Sequence, residues 1–364
     1  MSEIDRRFMS RAIRLAGKGK YSTHPNPQVG CVLVRQGEVV GEGYHVRAGE
    51  GHAEANALRM ASDAAKGSTA YVTLEPCSFH GRTPSCAEAL VSAGVERVVV
   101  AMEDPDPRNA GKGNQILREA GIEVVTPFMQ ESAGSLVKGH ARRYRSGMPW
   151  IRLKLAMTLD GKTALGNGES KWITSPEARA DVQRLRAMSA AIVTGVQTVI
   201  DDDPEMSVRP ELLDVEHHAE ALAAERPVYV LDSNLRIPGD ARLLSGPQTV
   251  LVCARSASRE MPGTEVLAMP SDDGRVHLAP FLSELARRGH SEVLFECGAT
   301  LAASLVAEKL VDELIIYAAP RLIGATGRSL LNLPEIDRMS ALVDLSIQDV
   351  RKVGPDLRIT ATLV

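Results

Sequence analysis

Short apolar runs recur along the chain, and many are followed by stretches with helical spacing. "VGCVLV" from Val29 and "EVVGEGYH" from Glu38 flank "RQG", which predicts a β-hairpin. A helix follows over about 52–65. Then come a strand "TAYVTL", a short helix after Pro84, a strand "VERVVVAM", a helix near 112–120 and a strand "IEVVTP". Strands alternating with helices indicate an α/β layered sheet. Before the hairpin, Phe8, Ala12, Leu15 and Ala16 fall on one face of an amphipathic helix. This block ends in a basic helix around "LVKGHARRYRSG", and "GMPW" resets the chain. "WIRLKLAMTLDG" opens a second α/β series. It has a helix near 176–188 and strands "AAIVTG", "PVYVLD", "TVLVCA", "EVLFE" and "ELIIYAAP", with helices between. "LRITATLV" alternates like a closing strand. The boundary falls near Ser146–Gly147, giving domains 1–146 and 147–364. No internal repeat or low-complexity tract appears. The segment 211–226 is expected to be a surface insertion with solvated His217 and His218.

The chain has 364 residues, enough for two ordinary domains, with 44% apolar and 24% charged residues. A net charge of −4 argues against bulk nucleic-acid binding, which needs a basic surface, but leaves room for local anion pockets. No apolar run reaches the ~18 residues of a membrane span. "MSEIDRRFMSRAIRLAGKGK" lacks the apolar core of a signal peptide. The cysteines are Cys31, Cys77, Cys86, Cys253 and Cys297. This odd, sparse set implies a reducing compartment, the cytoplasm by default, and no disulfide framework. Cys31, Cys253 and Cys297 are most simply buried thiols.

In "GHAEANALRMA", His52 and Glu54 stand at the start of a helix. Alone they mean little, since a first-turn acid is favoured by the helix dipole. "LEPCSFHGRTPSC" adds Cys77 and, nine residues later, Cys86. One imidazole and two thiols suit zinc, and three protein ligands leave a fourth position for water, the mark of a catalytic site. Zinc lowers the pKa of a bound water to roughly 7. Glu54, beside the ligand His, would take the water proton and deliver it to a leaving amine. H-x-E with a later P-C-x-x-C is the signature of zinc deaminases, although the spacing here is C-x8-C. A structural zinc is the competing reading.

The longer spacing narrows the family. "HPNPQVGCVLV", "GEGYH", "GHAEANAL", "VTLEPCSFHGRTPSC", the "DP" at 104–105 and the glycines at 111 and 113 together resemble the riboflavin-biosynthesis deaminase domain over about residues 5–146. That resemblance implies a cytidine-deaminase-like three-layer α/β/α fold. The family loop after the first cysteine commonly reads S-H-H-G-[RK]-T-P-P-C, so Phe79 and Ser85 depart from it while His80 and "GRTP" persist. By analogy Asn26 hydrogen-bonds the pyrimidine, although Asn before Pro is also a turn former. His45 and His80 either face the same pocket or are satisfied structural histidines.

Residues 148–364 resemble the dihydrofolate-reductase-like α/β domain of the same bifunctional proteins, through "LKLAMTLDGKTA", "SKWITSPEAR", "LRAMSAAIVTGVQTVIDDDPEMSVR", "VLDSNLRIP" and "FECGATLAASLV". The resemblance assigns NADPH contact to Ala156, Trp172, Thr198, Asp202, Ser233 and the run Gly298, Ala299, Thr300, Leu301, Ala302, Ala303 and Ser304. Backbone N–H groups at such a helix start suit a phosphate. It assigns the phosphorylated sugar to Ser170, Arg186, Met206, Arg209 and Glu296. Arg186 and Arg209 offer bidentate donors for phosphate. Glu296 and Asp202 either orient sugar hydroxyls or cap the next element. Lys154, mid-strand, is costly to bury unpaired; it either polarises the sugar carbonyl or imine or pairs with an acid. "DDDP" is read as a polar turn in preference to a metal site, and Trp172 would ordinarily be a core aromatic.

The resemblance implies a zinc- and NADPH-dependent enzyme of riboflavin synthesis. It would deaminate 2,5-diamino-6-(5-phosphoribosylamino)pyrimidin-4(3H)-one and then reduce the ribosyl group of 5-amino-6-(5-phosphoribosylamino)uracil to ribityl. Its partners would be small phosphorylated pyrimidines, with neither nucleic acid nor membrane, and the family makes a homo-oligomer plausible. Two alternatives stand beside it: another nucleobase or RNA deaminase fused to an unrelated nucleotide-binding domain, and a zinc-stabilised nucleotide sensor without turnover.

Overall fold

The computed structural model describes residues 2–79, 85–246, 248–255, 259, 261, 263–271 and 273–364. The chain divides into two compact units, 1–148 with 219–224 and 149–218 with 225–364.

The first unit runs α1 (Glu3–Lys18), β1 (Gly30–Arg35), β2 (Glu38–Tyr44), α2 (Ala53–Ala61), β3 (Thr69–Val72), α3 (Cys86–Ser92), β4 (Arg97–Val100), α4 (Lys112–Glu119), β5 (Glu123–Val125), α5 (Gln130–Gly134) and α6 (Lys138–Ser146). Among the described residues its sheet has five strands in the order β2-β1-β3-β4-β5. β2, β1 and β3 pair antiparallel, as the predicted hairpin requires, and β3, β4 and β5 run parallel. The strands read as unbroken apolar runs because both faces are covered. Cys31, Leu33, Ala70, Val72, Val98 and Val100 pack with the α2, α3 and α4 side. Val32, Val34, Tyr71 and Val99 pack with Phe8, Met9 and Ala12 of α1 and with Phe128. The result is a three-layer α/β/α unit.

The glycines of β2 place α2. A Cβ on Gly41 would stand 2.3 Å from the Ala57 carbonyl oxygen, and one on Gly43 would stand 2.7 Å from that of Ala53. Side chains there would lift the helix off the strand. The "GEG" of β2 thus lets the helix carrying His52 and Glu54 lie directly on the sheet. The predicted helix over 52–65 is α2 followed by a 3-10 turn over Ser62–Ala65.

The second unit begins with β6 (Trp150–Thr158), β7 (Lys162–Ala164), α7 (Pro176–Ala187), β8 (Ala191–Gly195) and α8 (Val196–Asp202). After α9 (His218–Ala223), of which residues 219–223 group with the first unit, come β9 (Val228–Leu231), β10 (Thr249–Ala254), β11 (Glu265–Met269), α10 (Leu278–Arg287), β12 (Glu292–Glu296) and α11 (Ala299–Ala307). β13 (Glu313–Ala319), β14 (Arg328–Ser329), β15 (Leu345–Val353) and β16 (Asp356–Leu363) complete it. Among the described residues the main sheet has nine strands, β11-β10-β9-β8-β12-β6-β13-β16-β15. It is parallel from β11 to β13 and antiparallel through β16 and β15. The closing strand expected from "LRITATLV" is β16. β11 and β15 were not anticipated: both are edge strands, largely exposed on the two sides of the sheet, and lack a clean apolar signature.

The segment 211–226 is less of an insertion than expected. It contains α9, and Ala221 is fully buried. His217 and His218 are half-buried, with His217 near Glu216 at 3.5 Å and the His218 ring at 3.1 Å from the Pro210 carbonyl oxygen. No described helix is long and apolar enough to cross a membrane.

Candidate active sites

Two helix starts and one loop converge in the first unit. His52 is the N-cap of α2, in extended conformation. Cys77 lies on the loop after β3. Cys86 is the first residue of α3, whose N-cap Ser85 makes a capping box with Glu88. The departure at Ser85 is explained here: its φ of −61° is the angle a proline fixes, and its hydroxyl accepts from the Glu88 N–H, which proline has no group to do.

The His52 Nδ1 lies 3.3 Å from the Cys86 sulfur and 3.7 Å from that of Cys77. His52, Cys77 and Cys86 present one ligand atom each, all within 4.8 Å of one another, and form the metal-competent cluster found among the described residues. One nitrogen and two sulfurs form a donor set that fits zinc. The Cys86 backbone N–H donates to the Cys77 sulfur at 3.2 Å. Cys77 ionises first of the two thiols, held down to about 4 by hydrogen bonds from Cys86 and His52, while the hydrogen bond to Cys77 and burial push Cys86 up. A thiolate at a helix N-terminus is a favoured metal ligand. Glu54 is buried in the first turn of α2, and burial raises its pKa above the usual carboxylate value.

His45 is buried, and that burial pulls its pKa down. Its ring stands edge-on to His52, centroids 5.3 Å apart, and within 3.0 Å of the Asn26 amide. Phe79 is exposed, with the Arg108 guanidinium 5.9 Å above its ring. His80 lies outside the described residues.

Sequence reasoning missed the support behind Cys77. Glu75 is buried and accepts from the backbone N–H groups of Asp104, Gly111 and Asn114, at 3.1, 3.0 and 3.0 Å. Asn109 accepts from the Ser78 N–H at 2.8 Å and donates to Asp104 at 3.1 Å. Asp104 in turn meets His140 at 3.0 Å. The "DP" and glycine words of the motif are therefore the far wall of the cysteine loop. The acid immediately before "PC" was the available signal.

In the second unit a cleft of about 1550 Å³ opens beside the middle of β6 and the ends of β8 and β12. Lys154, Ala156, Ser170, Trp172, Arg186 and Thr198 line it, as do Asp202, Met206, Arg209, Ser233 and Glu296. Gly298, Ala299, Thr300, Leu301 and Ser304 border it too. Ala302 and Ala303 do not: both are buried in the core face of α11, since a contiguous run on a helix cannot all face one side. Trp172 is no core aromatic; it is exposed, with Arg179 at 4.6 Å over its ring. Cys297 is only half-buried and lines the cleft.

Glu296 gathers two cations. Arg186 donates to it through Nε at 2.6 Å and Nη2 at 3.1 Å, and the Lys154 Nζ stands 3.7 Å away. Arg186 Nη1 donates to the Ser207 carbonyl oxygen. The expected phosphate fork of Arg186 is thus committed within the protein, because two facing charges in a low-dielectric pocket satisfy each other first. Burial pulls Lys154 below the ordinary lysine value, opposed by the Glu296 charge. Arg209 is more open, with Glu205 only at 3.9 Å. Its backbone N–H is held by Gln183, a buried residue of α7 that sequence reasoning did not single out. The Ser170 hydroxyl donates to Asp202 at 3.3 Å, and Asp203, in left-handed conformation, ends α8.

Comparison with known proteins matches a family to each half of the chain. Residues 2–102 match the cytidine and deoxycytidylate deaminase zinc-binding region, and residues 149–359 match the RibD C-terminal domain. The riboflavin biosynthesis protein RibD of Escherichia coli is 47% identical over 360 residues, covering 97% of this chain and 98% of that protein. Its Haemophilus influenzae counterpart is 46% identical over 364 residues, covering 98% and 96%. A solved structure of Acinetobacter baumannii RibD has a TM-score of 0.91 at 41% identity, covering 100% of this chain and 99% of that one. A Thermotoga maritima structure, described as a diaminohydroxyphosphoribosylaminopyrimidine deaminase/5-amino-6-(5-phosphoribosylamino)uracil reductase, has a TM-score of 0.86 at 27% identity, covering 99% of each chain.

The fold and its two sites define a bifunctional enzyme, a zinc-binding deaminase joined to a reductase. The match along the whole chain displaces the reading of a deaminase fused to an unrelated nucleotide-binding domain. The chain belongs to the RibD family of riboflavin biosynthesis proteins.

Proposed function

We propose that residues 1–146 deaminate 2,5-diamino-6-(5-phosphoribosylamino)pyrimidin-4(3H)-one, and that residues 147–364 reduce the ribosyl group of the product with NADPH. The observation that carries this is the meeting of His52, Cys77 and Cys86 beside a buried Glu54. His52 Nδ1 and the two sulfurs would hold zinc, which when bound supplies a Lewis acid and makes water acidic enough to ionise near neutral pH. Asn26 holds the pyrimidine edge. The Glu54 carboxylate takes a proton from the attacking water and passes it to the exocyclic nitrogen, which leaves as ammonia. A carboxylate with a raised pKa suits both transfers.

In the cleft, NADPH supplies the hydride and the protein supplies position. The start of α11, with Thr198, Ser233, Ala156 and Trp172, would seat the cofactor. Arg209 would take the sugar phosphate. Arg186 orients Glu296, and Glu296 keeps the Lys154 ammonium in place to polarise the open-chain sugar carbonyl. Free thiols in all described cysteines accord with a reducing compartment, the cytoplasm. We also place a second copy of the chain against β15, an edge strand on which Ile347 and Val350 are exposed.

Two variants test the two-site assignment. Glu54→Ala should retain zinc and lose ammonia release by roughly 10²–10⁴-fold, while NADPH oxidation with the deaminated sugar phosphate continues. Arg209→Ala should spare ammonia release and raise KM for that sugar phosphate. Joint loss of both activities in each folded variant would refute it.

A further inference from the structure

His45 makes two hydrogen bonds through opposite ring nitrogens. Its Nδ1 lies 3.2 Å from the Gly51 carbonyl oxygen and its Nε2 lies 3.0 Å from the Asn26 Nδ2. A carbonyl oxygen only accepts, so Nδ1 carries the proton in that bond. The Nε2 of a neutral ring is then a lone pair, and Asn26 must turn its NH₂ toward it. An unconstrained Asn amide presents donor or acceptor with little preference; here the imidazole chooses. Asn26 Oδ1 has no hydrogen-bond partner among the described residues, and Asn26 is half-buried. The His45 backbone N–H is itself tied to the Val29 carbonyl oxygen at 2.9 Å. Gly51 immediately precedes His52, and its carbonyl oxygen also accepts from Asn56 at 3.2 Å.

We propose that His45 is a positioning residue that acts through Asn26. It locks the amide with its oxygen outward, as an acceptor for the N–H edge of the pyrimidine, and ties that amide to the backbone that presents His52. The sugar and the metal need no contact with it. This rests on the reading that Asn26 binds the pyrimidine.

Two substitutions divide the ring's roles. His45→Gln keeps an acceptor near the Nε2 position. His45→Asn keeps only a donor near the Nδ1 position. The KM for ammonia release should stay within about threefold of wild type in His45→Gln and rise roughly tenfold in His45→Asn, with kcat and zinc content little changed in both. The reverse order overturns the proposal. The double variant His45→Asn/Asn26→Ala should be no worse than Asn26→Ala alone; additive losses mean that His45 touches substrate itself, and overturn it. If Asn26→Ala leaves KM unchanged, the underlying reading of Asn26 fails. If it raises KM while His45→Asn does not, only the His45 proposal fails. Should the variants not fold, ¹⁵N spectra of the zinc-loaded wild type decide: a His45 ring protonated at Nδ1 alone supports the proposal, and one protonated at Nε2 overturns it.

Discussion

Arg97 holds the Asp5 carboxylate at 2.7 Å, and the Tyr71 hydroxyl and the Ser2 N–H donate to it at 2.9 and 3.1 Å. The Arg97 bond, the largest influence, keeps Asp5 well below the usual carboxylate range despite its burial. A depressed folded pKa stabilises above the unfolded value of about 3.9, and that contribution fades as pH falls from there toward the folded value. Asp5→Asn should therefore cost roughly 2 kcal/mol at pH 7. Urea midpoints of the two proteins should converge below about pH 4; a gap constant down to pH 2 would contradict the assignment. In the sequence Asp5 is only an acid in a first turn. Its partner Arg97 lies across the sheet, and no local pattern announces a pairing over that distance. His52, Glu54, Cys77 and Cys86 were legible because metal chemistry restricts which residues serve, and their spacing survives in the chain as a motif.

At the scale of elements, two of the three metal-competent side chains, His52 and Cys86, sit where helices begin. α2 and α3 each present a ligand at or beside the N-cap, and Cys77 is braced by the loop into α4. That brace is tight: a Cβ on Gly113 would stand 1.9 Å from the Pro76 carbonyl oxygen. Gly113→Ala should push α4 away from the cysteine loop. We expect at least ~1–3 kcal/mol lower stability, as for overpacking in a core, and faster zinc loss to a chelator. Unchanged zinc release would show that the brace does not hold Cys77. The helices and central strands of both units were legible from apolar period and capping residues. The edge strands β11 and β15 were not, since an edge strand buries too little to impose a pattern. The run from Gly298 to Ser304 was read as one contact surface, but the turn of α11 sends Ala302 and Ala303 into the core.

At the scale of the whole molecule, each activity has its own compact unit and its own core. The exposed apolar residues of β15 belong to the second unit. Ile347→Glu with Val350→Glu should convert an oligomer to monomers in sedimentation velocity, with the far-ultraviolet spectrum retained. A wild type that already sediments as a monomer would rule out this interface.

The sequence by itself determined the α/β alternation, the pairing of a deaminase with a reductase and the residue types that meet as the His52, Cys77 and Cys86 cluster. These are properties of local period and of residue chemistry, and both are carried within short stretches. Only the tertiary structure decided that Arg186 serves Glu296 instead of standing free, that Lys154 shares that acid, that Trp172 faces solvent and that His45 meets Asn26. Hydrogen bonds and ion pairs between residues distant in sequence depend on how strands and helices are brought together, and their donors and acceptors look the same in a linear chain whether or not they meet.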